Sequence, residues 1–315
     1  MSNDQVPINP FLRSDAHADA RPSVTTTVTP VPAVGTPVYT VHSLPQDTNG
    51  PAPNASGNEP WYSRSSKICT ISGIEVHVAP LFYIYAGFLM LINAFYGALY
   101  FFLAVCEMAI LFGTVLVHEF GHCFATRRAG GEVSHILLWP LGGLAYVNLD
   151  GTSAKGDLWV AIAGPLTHVP MFFVWFIAFA ASAGNTDLMR GTGKFFPELM
   201  RSGCWINISL FLFNLFIPAY PLDGSRVLTS LLAMLSVSLK TAGWVVILVS
   251  TIMSIALLAF GFIYISFMSV FIGAYTLGET YKLYSLHRLD RLQEHPTFKK
   301  YNELTRGGSW TAQAI

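Results

Sequence analysis

The sequence predicts an all-α polytopic membrane protein with about six transmembrane helices and a short β-hairpin-like segment near its candidate site. Three observations lead to this prediction. Of the 315 residues, 52% are hydrophobic and only 11% are charged, whereas soluble domains carry about 25% charged residues. Several stretches of about 20 or more residues lack charge, which is the length that crosses a bilayer as a helix. These stretches are too uniformly apolar for the alternating strands of a membrane barrel.

The chain divides into three parts by composition. Residues 1–67 contain ten of the 18 prolines. We predict a disordered leader there, because so polar a segment cannot bury enough apolar surface to offset the entropy of ordering. No basic stretch leads into an apolar run, so the leader is not interpreted as a signal peptide. Residues 68–285 form the predicted membrane domain, and residues 286–315 form a short tail.

Six spans are predicted within the membrane domain. Two nearly uncharged stretches of roughly 40 residues are each long enough for two helices, with breaks near Asn93–Gly97 and Phe260–Gly261. The predicted spans cover residues 79–96, 99–126, 158–182, 203–222, 242–259 and 262–283.

Basic residues near the span ends predict the orientation, because cytosolic loops are enriched in Lys and Arg. If the chain has six spans, most of these basic residues fall on the same side as both termini. They are Arg127, Arg128, Lys155, Arg226, Lys240 and the basic residues of the tail. The loop 185–201 carries three bases on the other side, against this trend. We therefore expect a multi-pass protein with both termini in the cytosol.

The second predicted span ends in the sequence His118-Glu119-Phe120-Gly121-His122. Positions i and i+4 share one face of a helix, so the two imidazoles could bind one metal ion, with Glu119 near a metal-bound water. Ionisable residues inside a span are costly unless they are compensated, and a divalent cation would compensate them. The alternative is a helix end at the membrane surface, where these side chains are only solvated.

A third ligand is predicted from the fourth span, because a catalytic zinc site uses three protein ligands and one open position. Asp223 follows 21 residues without charge. Pro218 and Pro221 interrupt the helix before it, and such breaks are tolerated at membrane depth where they line a cavity. In the alternative interpretation, Asp223 only caps the next helix, Ser225–Ser236.

These motifs together resemble the site-2 protease family of intramembrane zinc metalloproteases, in a minimal form without a PDZ or CBS module. The resemblance extends over about residues 70–285. It depends on the HExxH sequence and on the segment from Asn214 through Pro218 to Asp223-Gly224, where Asn214 and Asp223 lie one residue further apart than in the family. Three shorter segments also match: Leu141-Gly142-Gly143, Ala163-Gly164-Pro165, and Asn207 seven residues before Asn214.

The resemblance implies a role for each matching residue. His118, His122 and Asp223 would bind one Zn²⁺ per chain, Glu119 would be the general base, and Asn214 would position the substrate. The implied activity is that of a zinc metalloendopeptidase that cleaves membrane-anchored proteins within or near a transmembrane helix, in regulated intramembrane proteolysis. The partners would be such a substrate and the lipid bilayer. The sequence does not indicate an oligomeric state.

Two other functions remain open from the residues alone: a catalytically silent membrane scaffold and a zinc transporter. Nucleic-acid binding is not indicated, because 18 basic residues are balanced by 18 acidic residues. The four cysteines lack CxxC spacing and predict neither a disulfide framework nor a thiolate zinc site.

Two glycine pairs enclose a short apolar segment, His135–Tyr146, which is predicted to form a strand or hairpin beside the site. If an unwound substrate pairs with it by strand addition, Gly142 and Gly143 would help to position that substrate. Two further ionisable residues within the spans are given structural roles. Glu107 is expected to lie at the membrane surface or to pair with a neighbouring helix, and His168 is expected to pair with helix backbone.

Overall fold

The computed structural model describes residues 65–149, 152–299 and 301. In chain order the elements are β1 (Ser66–Ile71), β2 (Ile74–Val78), α1 (Pro80–Phe95), α2 (Ala98–Arg128), β3 (Glu132–Trp139), β4 (Gly142–Asn148), α3 (Ala154–Leu166), α4 (His168–Ala183), α5 (Phe195–Phe216), α6 (Asp223–Met234), α7 (Leu239–Ile263), α8 (Phe267–Arg288) and α9 (Pro296–Lys299). The predicted leader, 1–67, lies outside the described residues except for its last three, as do residues 300 and 302–315 of the predicted tail.

The mostly helical prediction is confirmed, but the count of six spans is not. Four helical elements are long and apolar enough to cross a membrane: Ala98–Arg128, Ala154–Ala183, Phe195–Phe216 and Leu239–Ile263. Helix α1 is apolar but has only 16 residues, which is about 24 Å of helix against a hydrocarbon core of about 30 Å. Helix α8 has 22 residues, but its second half contains Glu279, Lys282 and Arg288.

Glycine and proline residues mark boundaries between consecutive helices. Gly97 precedes α2 with φ of 114°, a conformation that favours glycine, and so divides α1 from α2. Helices α3 and α4 together form one apolar element of 30 residues. It is interrupted near Pro165, which has no N–H to donate, and the hydroxyl of Thr167 donates to the Gly164 carbonyl at 2.7 Å. The predicted span 158–182 is therefore two consecutive helices.

A four-stranded sheet with the order β1-β2-β3-β4 lies beside α2. Strands β3 and β4 form the predicted hairpin, pairing antiparallel from Glu132–Asn148 to Trp139–Gly142. Strands β1 and β2 form a second antiparallel pair, and β2 joins β3 in parallel. The all-α description was wrong in this respect, because β1 and β2 were not predicted from the sequence.

One face of this sheet packs against the part of α2 that carries the HExxH sequence. Strand β2 alternates in burial, with Ile74, Val76 and Val78 inside, as expected for a sheet with one covered face. The buried cluster also includes Val115, Phe120, Cys123, Ile136 and Leu138. The guanidinium of Arg127 donates to the Ser72 carbonyl at 2.8 Å and fixes the β1–β2 turn to the end of α2.

A second buried cluster joins α6, α7 and α8 to the C-terminal segment. It consists of Ala233, Ala242, Val246, Ile247, Leu283, Leu292, Phe298 and Tyr301. The Tyr301 hydroxyl donates to the Val237 carbonyl at 3.0 Å. The segment after α8 therefore packs against the helix that begins at Asp223.

Candidate metal centre

The three polar residues of the HExxH sequence lie in the buried part of α2. His118, Glu119 and His122 are 5%, 6% and 2% exposed. The two imidazoles share one face of the helix, with ring centroids 4.7 Å apart, as the i, i+4 spacing predicts. The interpretation of these side chains as merely solvated at the membrane surface does not agree with their burial.

Asp223 reaches the same place from the segment that follows α5. Residues 217–222 are not helical, and the carboxylate is carried by the first residue of α6. The Ser250 hydroxyl on α7 makes two hydrogen bonds to this segment: it accepts from the Tyr220 N–H at 2.9 Å and donates to the Pro218 carbonyl at 3.3 Å. Asp223 does not cap this helix as the alternative interpretation expected: the N-cap position is Leu222, no side chain caps the helix, and the Asp223 carboxylate contacts the two imidazoles instead.

Three ligand atoms from two helices meet at this point. Asp223 Oδ2 lies 3.0 Å from His118 Nε2 and 3.2 Å from His122 Nε2, and the two nitrogens lie 3.1 Å apart. Ligands about 2.0–2.1 Å from a tetrahedral zinc ion are separated by about 3.3 Å, so the three atoms fit such an ion closely. Within the described ranges, no other group of three His, Cys, Asp or Glu side chains could hold a metal ion.

The orientation of His122 agrees with metal binding. Its Nδ1 lies 2.7 Å from the carbonyl oxygen of Val160 on α3. A carbonyl can only accept, so Nδ1 carries the proton and Nε2 of the neutral ring keeps its lone pair. A Cβ at Gly164 would lie 2.2 Å from His122 Nε2, so the close contact of α3 with this imidazole requires glycine there.

The carboxylate of Glu119 is held by the sheet. Its Oε2 accepts a hydrogen bond from the backbone N–H of Ala145 on β4 at 2.9 Å. Gly143 on the same strand lies so close that a Cβ there would be 2.3 Å from Glu119 Cγ. Strand β4 therefore lies directly against the predicted general base, and only a residue without a side chain fits at position 143.

The remaining predicted positioning residues differ in their relation to this centre. Gly142 begins β4 opposite Trp139, next to Gly143. Asn214 lies near the end of α5 and is half-buried. Its side chain makes no hydrogen bond to any described residue, so hydrogen bonding does not link it to the three ligand atoms.

Two polar contacts within the helices were not predicted from the sequence. His168, expected to pair with helix backbone, instead places its Nε2 3.0 Å from His118 Nδ1, and its Nδ1 lies 3.2 Å from Asn207 Oδ1. A pattern of isolated polar residues within apolar helices was the only signal of this contact.

The expected pairing of Glu107 with a neighbouring helix is present: Ser202 on α5 donates to its carboxylate at 2.5 Å.

Comparison with known proteins agrees with the site. The sequence profile of Peptidase family M50 matches residues 106–202. A zinc metalloprotease of Methanocaldococcus jannaschii is 31% identical over 162 residues, which are 51% of this chain and 42% of that protein. A protein of Synechocystis described as a zinc metalloprotease is 28% identical over 179 residues, 54% of this chain and 45% of its own length. The chain spans less than half the length of these relatives.

The fold also matches a solved structure. The site-2 protease from Methanocaldococcus jannaschii superposes with a TM-score of 0.53 at 22% identity, covering 70% of this chain and 94% of that one. The resemblance to the site-2 protease family is confirmed by these findings together. The four helical elements that are long and apolar enough to cross a bilayer support an integral membrane protein.

Proposed function

We propose that the chain is an intramembrane zinc metalloendopeptidase that cleaves membrane-anchored proteins within or near a transmembrane helix. The observation that carries this proposal is the meeting of two imidazole nitrogens and one carboxylate oxygen at mutual distances of 3.0–3.2 Å. The carboxylate of Glu119, one residue from His118, supplies the acid–base group that hydrolysis requires.

In this proposal each residue of the centre has one task. His118, His122 and Asp223 would hold one zinc ion per chain. When bound, zinc supplies a Lewis acid for the scissile carbonyl and lowers the pKa of coordinated water to about 7. Glu119 takes a proton from the attacking water and delivers it to the leaving amine. The Ala145 N–H fixes one carboxylate oxygen and leaves the other to carry that proton.

Strand β4 supplies a binding edge for the substrate. Within the part of the chain that the structure describes, β3 is its one strand neighbour, and the Ala145 N–H points away from β3 toward Glu119. Backbone groups alternate in direction along a strand, so Gly143 and Val147 present theirs to the same open edge. An unwound substrate that adds there as a strand would lie beside Glu119, with Gly142 and Gly143 positioning it. Asn214 is proposed as a further positioning residue on α5.

The depth of the centre supports cleavage near one membrane surface. His118 lies 20 residues after Ala98 on α2, which is about 30 Å along the helix axis. Arg127 and Arg128 end the same helix, and basic residues mark the cytosolic side. We therefore place the centre in the cytosolic half of the membrane, with both termini in the cytosol, and expect the cut to release a cytosolic fragment.

Six spans are retained as part of this proposal. Helices α1 and α8 would cross the membrane in addition to the four long apolar elements. The 16 residues of α1 can be accommodated by local thinning of the bilayer or by flanking residues that reach the interface. Reporter fusions at the loop after α4 and at both termini test this topology, since six spans require the two termini to lie on one side and that loop on the other.

One experiment separates the protease from the scaffold and the transporter. The purified full chain is compared with its Glu119→Gln variant for zinc content, zinc flux into vesicles and cleavage of casein as an unstructured probe. A protease binds one zinc in both forms and loses cleavage in the variant. Zinc flux that depends on Glu119 would indicate a transporter. A wild type that neither binds zinc nor cleaves casein would leave the catalytically silent scaffold as the remaining interpretation. Membrane proteins that accumulate uncut in cells carrying Glu119→Gln would identify the substrate.

A further inference from the structure

A hydrogen-bonded chain of three buried side chains leads away from the metal centre. His118 Nδ1 lies 3.0 Å from His168 Nε2, His168 Nδ1 lies 3.2 Å from Asn207 Oδ1, and Asn207 Nδ2 lies 2.9 Å from the Gly203 carbonyl oxygen. His168 is 1% exposed and Asn207 is fully buried. The chain joins α2, α4 and α5.

The direction of every bond in this chain follows from its last acceptor. The Gly203 carbonyl can only accept, so the NH₂ group of Asn207 faces it and the amide oxygen faces His168. That oxygen also only accepts, so His168 Nδ1 carries a proton. A neutral imidazole has a single N–H, so His168 Nε2 accepts from His118 Nδ1–H, and His118 Nε2 keeps its lone pair.

This direction matters because the other tautomer of His118 could not bind a metal ion through Nε2. If His118 carried its proton on Nε2, that N–H would donate to Asp223 Oδ2, which lies only 3.0 Å away, and the nitrogen would have no lone pair for a metal. His122 avoids the same outcome by donating from Nδ1 to the Val160 carbonyl. His118 has a second imidazole as its neighbour, and an imidazole can donate or accept until its own tautomer is fixed.

We propose that His168 and Asn207 are positioning residues that fix His118 in the tautomer that binds a metal. The inference rests on the proposed function, because it concerns a ligand of the same centre. Asn207 sets the tautomer of His168, and His168 then sets that of His118. Hydrogen bonds to the outer nitrogen of a metal-binding histidine typically contribute about 10- to 100-fold to metal affinity.

The test measures zinc affinity by chelator competition on the purified full chain. We expect His168→Leu to raise the zinc dissociation constant about 10- to 100-fold, because the N–H of His118 loses its acceptor. His168→Gln, which keeps an acceptor near the position of Nε2, should recover most of the affinity. Asn207→Leu should also weaken binding, although it does not touch His118. His287→Asn is the matched control: it removes a similarly buried histidine, bonded to the Lys240 carbonyl, and should leave affinity unchanged.

A second measurement tests the chain without zinc. Nitrogen-15 chemical shifts of the metal-free wild type should show His118 protonated at Nδ1, and this signal should be lost or mixed in Asn207→Leu. Wild-type zinc affinity in both His168→Leu and Asn207→Leu, with unchanged unfolding temperatures of the metal-free forms, would overturn the inference. His118 protonated at Nε2 in the wild type would overturn it as well. A wild type that has the Nδ1 signal but neither binds zinc nor cleaves would instead count against the proposed function.

Discussion

Glu119 on α2 and Ala145 on β4 are joined by a single hydrogen bond of 2.9 Å, from the backbone N–H to the carboxylate. This bond connects the helix that carries two of the three candidate metal ligands to the edge strand β4. It therefore holds the proposed general base beside the strand edge where a substrate is proposed to bind. Glu119 is not one of the three residues that could hold a metal ion, so changes at this bond are expected to leave those three residues in place.

Ala145→Pro is expected to lower cleavage about 10- to 100-fold while zinc content stays at the wild-type level. Proline has no N–H, and hydrogen bonds to charged groups contribute about 1.5–3 kcal/mol. The lost N–H points away from β3, and proline is tolerated at such edge positions, so the sheet should persist. Initial cleavage rates and zinc content provide the readout. Ala145→Ser keeps the N–H and is the control. A proline variant as active as this control would mean that the bond does not hold Glu119 for catalysis.

Gly143→Ala is expected to reduce activity by about 100-fold or more without loss of zinc. The added Cβ would lie 2.3 Å from Glu119 Cγ, so the carboxylate must move, and a displacement of about 1 Å can cost about 100-fold in rate. Gly113→Ala is the matched control, because it lies on α2 and its Cβ would meet nothing within 4 Å. Equal cleavage rates in the two variants would contradict the placement of Glu119 against β4.

Asp223→Ala is expected to abolish cleavage and to weaken zinc binding by more than the roughly 10- to 100-fold typical of outer hydrogen-bond partners. The change removes one of three ligand atoms and leaves two imidazoles. Zinc affinity is measured by chelator competition, with Asp290→Ala as the control because that carboxylate is exposed and lies 3.6 Å from Lys240. Undiminished zinc affinity in Asp223→Ala would show that another residue is the third ligand.

The i, i+4 spacing predicted that His118 and His122 share one face of α2, and their rings do lie 4.7 Å apart. For Asp223 the residues alone left a capping role open, and the family resemblance favoured the ligand role. The sequence also predicted the β3–β4 hairpin from its flanking glycines. Strands β1 and β2 were missed: β1 begins at Ser66, within the predicted leader, and β2 pairs in parallel with β3, a partner about 60 residues away. The contact of His168 with His118 depends on how α4 is rotated against α2, and helix periodicity in strongly apolar segments does not determine that rotation.

The C-terminal segment is expected to make stability dependent on pH. Burial lowers the pKa of His295 to about 4, from 6.5 for the exposed group. Its Nε2 lies 3.0 Å from the Tyr220 hydroxyl, and its Nδ1 accepts from the Thr297 N–H at 3.3 Å. A second proton would place two donors against each other at Nδ1. As the pH falls, His295 takes up this proton at a higher pH in the unfolded chain than in the folded chain. The contribution of His295 to the free energy of unfolding should therefore be constant above pH 6.5 and should fall as the pH decreases toward 4.

The unfolding temperature of the purified protein at pH 7 and pH 5 measures this effect. Wild type should lose more stability over the interval than His295→Gln, which cannot take up the proton. Protonation of the candidate metal ligands affects both proteins and cancels in the difference. Parallel losses in the two proteins would show that His295 does not contribute to the pH dependence.

X-ray absorption at the zinc edge, recorded on the zinc-loaded full chain, tests the metal centre most directly. The account predicts one zinc per chain with nitrogen and oxygen ligands about 2.0–2.1 Å away and the scattering pattern of two imidazoles, one of which is lost in a His118→Ala variant. A sulfur shell at about 2.3 Å, or a purified protein that binds no zinc, would contradict the account.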